Sequence, residues 1–295
     1  MEEIIMGTNT ITLAKKYATL LDEVYRESAV TAVLESDPSL ARAGANANEI
    51  VIPKLEMDGM ADYNRNSGYV DGDVSLTWET AAYNYERGRM FTVDSMDNEE
   101  SQNVAFGRLA GEFVRTKAVP EIDAFRFAEI ASTAGIGKGS GVIDSGEDGV
   151  AAIRAAVSEM DEAEVPQEGR ILFITPTLKG LIDDMDTTKS KAVFAGFDMV
   201  VVVPQTRFYT AVKLNNGTSE GEKNGGYTKA ESGKNINFMI VHKGAVLQFT
   251  KHAVPKIITP EMNPDADAWK YGYRSYGLCS VYKNKTAGVY VHSEA

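Results

Sequence analysis

The sequence predicts an α+β protein. Two strand-like runs flank a long polar stretch near the front, one long helical run follows them, and beyond a glycine-rich segment helices and strands alternate before an aromatic, strand-rich end. A chain of 295 residues, 43% of them apolar, is long enough for about two domains with real cores.

Taken in order, Thr12 to Leu34 carries Leu13, Tyr17, Leu20, Leu21, Val24 and Val33 at helical spacing, until Asp37-Pro38 and the small residues Ala41–Asn48 end the pattern. This predicts an N-terminal arm, residues 1–47, with one helix. Ile50-Val51-Ile52 and the alternating Val74, Leu76, Trp78, Thr80 read as strands. Between them Met57–Asp73 is rich in Gly, Asp and Asn, so residues 48–94 form a long hairpin. Its tip has too little apolar content to fold on itself, and it therefore requires a partner.

Asp94, Ser95 and Asp97 are candidate caps for a long helix, with Glu99 and Glu100 suited to its positive end. Phe106, Leu109 and Phe113 make one stripe, continued by Ile122, Phe125 and Ile130 beyond Pro120, which is expected to kink or interrupt the helix. Arg108 and Arg115, seven residues apart, share a face. The segment Gly135–Gly141 predicts a flexible joint, and with it a boundary near residue 147.

After the joint, Val150, Ile153, Val157 and Met160 mark a helix, Ile171–Thr175 a strand, and Thr175-Pro176 the start of a helix reaching about Met185. Met199–Val203, apolar on both faces, predicts a central strand. A polar insertion, Asn215–Lys234, precedes two runs, Ile236–Val241 and Val246–Thr250, that read as a hairpin about Lys243-Gly244. The aromatic end, Trp269–Val291, must pair with something earlier.

Composition removes several function classes. No run approaches the roughly 18 apolar residues of a membrane span, and Met1-Glu2-Glu3 is acidic where a signal peptide is basic, so an intracellular, soluble chain is expected. The single cysteine, Cys279, excludes an internal disulfide framework, and a net charge of −12 opposes strong binding to phosphate.

Motifs for catalysis are poorly placed. Gly217-Thr218-Ser219-Glu220-Gly221 matches a nucleophile elbow in pattern but lies among polar residues with no strand before it. In Gly135–Gly141, Lys138 precedes Gly139 where a phosphate loop needs Ser or Thr. His242, His252 and His292 lack paired helical spacing, and Asp71-Gly72-Asp73 and Asp183-Asp184 fit no calcium loop. Asn216-Gly217-Thr218 and Asn284-Lys285-Thr286 would be glycosylated only in a secreted protein. The reading assigns no catalytic residue, metal or cofactor.

The order of elements, together with Leu76-Thr77-Trp78-Glu79, Arg87–Asp94 and Glu112–Ala124, resembles the major capsid proteins of tailed phages, whose Hong Kong 97-like fold has an N-terminal arm, an extended loop, a spine helix, and peripheral and axial domains. The resemblance implies an extended loop over 48–94 whose outer part lies on a neighbouring subunit, a peripheral domain with the spine helix over 95–147, an axial domain over 148–255, and C-terminal strands, 256–295, returning to the peripheral domain. It implies a structural, non-enzymatic subunit that assembles into pentamers and hexamers of a DNA-filled head in the host cytoplasm. Implied partners are further copies, scaffolding, portal and decoration proteins, and packaged DNA through weak contact, with no membrane. A fused scaffold has no room before the arm, and no lysine and asparagine pair for cross-linking is identifiable. Candidate assembly residues are Asp58, Tyr63, Arg65, Tyr69, Arg108 and Arg115, and candidate hinges Pro120, Gly137 and Gly139. Two alternatives stay open: an encapsulin-type nanocompartment shell, and a ligand-binding or hydrolytic α/β protein resting on Ser219.

Overall fold

The computed structural model describes residues 29–37, 42–43, 49–66, 68–100 and 104–295. Most of the helix expected over Thr12–Leu34 lies outside these residues. Its last part, Val30–Leu34, is one 3₁₀ turn with Leu34 fully buried.

The expected hairpin is present. Strand β1 (Arg42–Ala43) pairs with β2 (Glu49–Met57), and β2 pairs antiparallel with β3 (Val74–Ala82), with Leu55 opposite Leu76 and Met57 opposite Val74. Two residues later β4 (Tyr85–Asp94) enters a second sheet of order β11-β12-β4, where β11 is Val246–Ile258 and β12 is Ala268–Val281. Glycine is required at Gly88, because a Cβ there would stand 2.9 Å from the Tyr273 carbonyl oxygen of the facing strand.

The long helical run comprises α1 (Ser95–Glu100), α2 (Val104–Phe113), a π-helical turn at Val114–Ala118 and α3 (Val119–Ser132). The cap at its start is Asp94, whose Oδ1 accepts from Met96 N–H at 2.9 Å. Pro120 does not stop the helix. The turn before it is wider, with Val119 N–H reaching back to Val114 O, and proline then occupies the first turn of α3, where its missing N–H costs least. Leu109, Phe113, Val114 and Val119 bury against Phe91, Val93, Tyr271 and Tyr273 of the second sheet.

A five-stranded sheet of order β5-β13-β10-β6-β7 forms the rest, with β5 Gly137–Ser140, β6 Arg170–Ile174, β7 Met199–Val202, β10 Ile236–His242 and β13 Val289–Ser293. On one face lie α4 (Gly146–Glu162), α5 (Pro176–Asp183) and α6 (Thr188–Phe194), burying Ile153, Met160, Leu178 and Ile182 against Leu172, Ile174, Phe238 and Ile240. On the other face Phe127 and Ile130 of α3, with Leu34 and Phe208, cover Ile171, Phe173, Met239 and Val241. Thr175 Oγ1 caps α5 by accepting from Leu178 N–H. Strands β8 (Val212–Leu214) and β9 (Tyr227–Lys229) pair at the base of the insertion.

Four expectations are corrected. The glycine segment is no open joint: Gly137 and Gly139 belong to β5, paired in parallel with Tyr290 and His292 of β13. Their lack of side chains makes room for Tyr290, since a Cβ on Gly137 would lie 2.5 Å from Tyr290 Cδ2 and one on Gly139 2.5 Å from its hydroxyl. Strand β7 is an edge strand, with Met199 46% and Val202 40% exposed. Its apolar run reflects layers on both faces, which says nothing about how many strands flank it. Strands β10 and β11 are not a hairpin, because the 3₁₀ turn Lys243–Ala245 carries the chain from one sheet into the other. The aromatic end also divides: β12 joins β4, whereas β13 joins β10 and β5.

Candidate assembly surface

The hairpin β2–β3 changes its buried face along its length. Near its root Ile50 and Ile52, 5% and 8% exposed, pack on Leu247, Phe249 and Leu278 of the second sheet. Farther out that face turns polar, with Lys54 and Glu56 forming a 2.5 Å ion pair. The opposite face is apolar and open: Leu55 (53%), Met57 (65%), Val74 (67%), Leu76 (55%) and Trp78 (48%) stand on it in cross-strand register. Since successive side chains alternate faces, this stripe points away from the face that anchors the root. Fully burying such a side chain is worth about 1.5–3 kcal/mol, so covering these half-exposed groups is worth roughly 5 kcal/mol.

The tip holds four of the sequence-predicted residues. Asp58 closes its base, accepting from Asp73 N–H through Oδ2 at 2.9 Å while its own N–H donates to Asp73 O. Tyr63 and Tyr69 meet edge to face with centroids 4.9 Å apart, beside a bridge between Asn64 and Gly68. Arg65 is exposed in the turn between them. Gly68, at φ +84°, supplies the left-handed residue that the turn needs.

Arg108 and Arg115 sit apart from the tip, exposed on the long helix. Arg115 belongs to the π turn and pairs with Glu112 at 2.8 Å, so the wider turn replaces the regular helix on which a shared face with Arg108 was expected. Pro120 lies half-buried in α3, and Gly137 and Gly139 lie in β5. The nine predicted residues thus form no single site.

Sequence reasoning missed two polar clusters that hold the elements together. Arg87 of β4 donates through Nε to Glu121 of α3 at 2.7 Å and through Nη2 to the carbonyl oxygens of Asn215 and Gly226, tying the hairpin root, the helix and the insertion to one guanidinium. Tyr85 hydroxyl also donates to Glu121, and burial holds its phenol well above the usual value. Asp123, fully buried in α3, accepts from Thr31 Oγ1 at 2.6 Å, from Thr31 N–H at 3.2 Å, from Val30 N–H at 3.3 Å and from Arg207 Nη1 at 3.2 Å. It caps the 3₁₀ turn Val30–Leu34 from another element. Burial raises its pKa, opposed by the Thr31 hydrogen bonds and by the charges of Arg126 and Arg207. Glu35, at the end of the turn, accepts from Thr250 N–H at 2.7 Å and Gln248 Nε2 at 3.0 Å. The one signal available was ionisable Glu121, Asp123 and Arg126 within a helix otherwise read as core.

The loop around Ser219 is a surface turn in which Asn216 Oδ1 accepts from Thr218 and Ser219 N–H, as its polar surroundings predicted. His292 stacks on Phe238 at 5.1 Å and contacts Asn237 Nδ2 through Nδ1 at 3.1 Å. Among the described residues no group of three His, Cys, Asp or Glu side chains could hold a metal ion, and no helix is long and apolar enough to cross a membrane.

No protein-family model and no curated protein matches the chain. Solved structures do. The asymmetric unit of the bacteriophage PhiM1 mature capsid aligns at TM-score 0.58 and 10% identity over 86% of this chain and 84% of that one. The capsid structure of cyanophage P-SCSP1u aligns at 0.57 and 12%, over 86% and 85%. A virus-like particle from Pyrococcus furiosus aligns at 0.56 and 12%, over 95% and 99%. At such identities the likeness is one of fold, and it covers most of the chain: the chain has the α+β fold of the tailed-phage capsid proteins.

Proposed function

We propose that this chain is the structural subunit of a phage head, assembling as pentamers and hexamers into an icosahedral shell around DNA. The observation that carries this reading is the projecting hairpin, whose outer apolar face stands exposed and calls for a neighbouring subunit. Heterologous contacts of this kind close into rings when the rotation permits. On this reading the hairpin β2–β3 is the extended loop, the long helix with the sheet β11-β12-β4 the peripheral domain, and the five-stranded sheet with α4, α5 and α6 the axial domain, so that β4, β5, β11 and β13 change domain relative to the expected bounds 48–94, 95–147, 148–255 and 256–295. Scaffolding, portal and decoration proteins would be its partners, in a virion assembled in host cytoplasm. With a net charge of −12 its contact with packaged DNA is weak and non-specific.

Negative-stain electron microscopy with light scattering tests the proposal, on the protein alone and with co-expressed scaffold. Closed shells or five- and six-fold rings are expected, and deleting the tip between Met57 and Asp73 should leave a folded subunit that assembles poorly. A uniform monomer or dimer under all conditions would sink the reading. A nanocompartment shell of encapsulin type is the second reading, with which the alignment to the Pyrococcus furiosus virus-like particle, over 95% of this chain and 99% of that one, is compatible. Protein cargo inside purified shells would select it over DNA.

A further inference from the structure

Nine of the described residues are methionine, and they divide by depth. Met160 and Met239 lie in the cores, 1% and 0% exposed, and Met185 packs in part against the helical layer. Met57, Met60, Met90, Met96, Met199 and Met262 are exposed. Exposure governs how fast an oxidant reaches a thioether, so the six on the surface react before the cores are touched. The thiol does not compete. Cys279 is buried, which pushes its pKa up to about 12, and the thiolate that an oxidant attacks is therefore scarce.

Of the six, Met57 alone belongs to the open apolar stripe of the hairpin. It stands at the outer end of β2, opposite Val74, with the Leu55 and Leu76 pair next along the same face. The charged pair Lys54 and Glu56 stands on the other face of β2. Met60 follows in the polar tip between Asp58 and Asp62, and the remaining four stand on β4, α1, β7 and the turn Pro260–Met262.

Hydrogen peroxide converts a thioether to a sulfoxide. A sulfur lone pair takes one oxygen atom, the O–O bond breaks, sulfur is oxidised by two electrons and the peroxide leaves as water. The product carries a strongly polar oxygen that accepts hydrogen bonds and has none to donate. In the free subunit Met57 faces water, so the new oxygen is solvated and the fold is undisturbed. Under an apolar neighbour the same oxygen becomes a buried polar group without a donor.

We infer that Met57 is a redox-modifiable site that controls the association surface of the hairpin. Oxidation of the free subunit leaves it folded and blocks assembly, and reduction of the sulfoxide restores it. This rests on the assembly reading above and names a chemical control of that surface.

The test treats the full chain with hydrogen peroxide, removes the oxidant and follows assembly by light scattering, each sample being compared with its own untreated half. Peptide mass spectrometry locates the added oxygen, and circular dichroism verifies folding. The natural sequence should gain oxygen at Met57, keep its fold and assemble about tenfold more slowly or worse, as expected for one unpaired polar group at an interface. Methionine sulfoxide reductases of both stereospecificities, with dithiothreitol, should reverse the loss, the oxygen leaving as water and the dithiol becoming a disulfide. Met57→Leu should lose no more than about twofold on treatment, while Met199→Leu, which keeps Met57, should lose as much as the natural sequence. Met57→Gln, polar without any oxidant, should assemble slowly from the start. Equal losses in Met57→Leu and the natural sequence, or unimpaired assembly with Met57 fully oxidised, overturn the inference. An untreated chain that forms no shell overturns the assembly reading along with it, whereas shells indifferent to oxidation at Met57 overturn this inference alone.

Discussion

Replacing Asp123 by alanine should destabilise the unassembled subunit more than any other single polar change. The carboxylate is fully buried and accepts four hydrogen bonds, from Val30 N–H, Thr31 N–H, Thr31 Oγ1 and Arg207 Nη1. Truncation leaves two backbone donors and a guanidinium facing an apolar side chain. An unsatisfied buried donor costs about 1–3 kcal/mol, and breaking a buried ion pair from one side about 3–5 kcal/mol. Because these donors share one acceptor the costs do not add, and a total near 4 kcal/mol is expected. At about 2–4 °C per kcal/mol that is a fall in Tm of roughly 8–16 °C. Urea unfolding followed by circular dichroism measures it. Thr31→Val alone should cost about 1–2 kcal/mol, and combined with Asp123→Ala it should add little, since it removes the same bond. The pH dependence has a definite sign. Burial raises the folded pKa above the ordinary 3.8, so the stability linked to this proton is present below 3.8 and lost as pH rises through the folded value. The gap between wild type and Asp123→Ala therefore narrows on going from acid to neutral pH. A cost below about 1 kcal/mol, or full additivity with Thr31→Val, would refute the idea that Asp123 caps the segment.

Three further outcomes are expected from the same geometry. His242 and His292 both have pKa values lowered by burial, so their contribution is present above 6.5 and lost as pH falls below it. Thermal scans at about pH 7.5 and about pH 5.5 should show a drop that shrinks in His292→Asn, which keeps an acceptor for Asn237 and cannot titrate; an unchanged drop removes His292 as a contributor. Gly137→Ala forces a Cβ to 2.5 Å from Tyr290 Cδ2 and should cost about 1–3 kcal/mol, less in a Tyr290→Ala background, which equal costs in both backgrounds would contradict. Leu55→Ser with Leu76→Ser should change subunit stability by no more than about 0.5 kcal/mol each while suppressing shell formation in light scattering, and a large loss of subunit stability would mean that the stripe is already buried.

What the sequence disclosed, it disclosed through local period and turn chemistry. Alternation in Val74–Thr80, the polar stretch before it and the Thr175-Pro176 cap each specify their own conformation, and each appears where expected. Pairing is another matter. Nothing in Ile236–Val241 or Val246–Thr250 records that a three-residue turn sends them to different sheets, because the choice is made by β12 and β13 tens of residues away. The glycines at 135–141 misled for a related reason. Read alone they signal freedom, whereas in the fold they are the space Tyr290 occupies. The π turn was similarly hidden, since Val114–Ala118 is ordinary helical sequence and only Pro120 hints that the helix must widen just before it. Of the candidate site, the polar tip was legible and its apolar shaft half so. That the stripe lies opposite the anchoring face needed the register of Leu55 with Leu76.

That placement separates folding from association. Ile50 and Ile52 attach the root of the hairpin to the body on one face, Lys54 and Glu56 end that contact, and from there outward the apolar groups stand on the other face, where they add nothing to the isolated subunit. Association can then be tuned or removed at the shaft without touching the cores around α3, and the cores can be weakened at Asp123 without altering the docking surface. A chain that placed its stripe on the anchoring face would gain stability as a monomer and lose the surface by which copies meet. The exposed stripe is also an aggregation hazard, and the four tip aspartates oppose that hazard by repelling other tips.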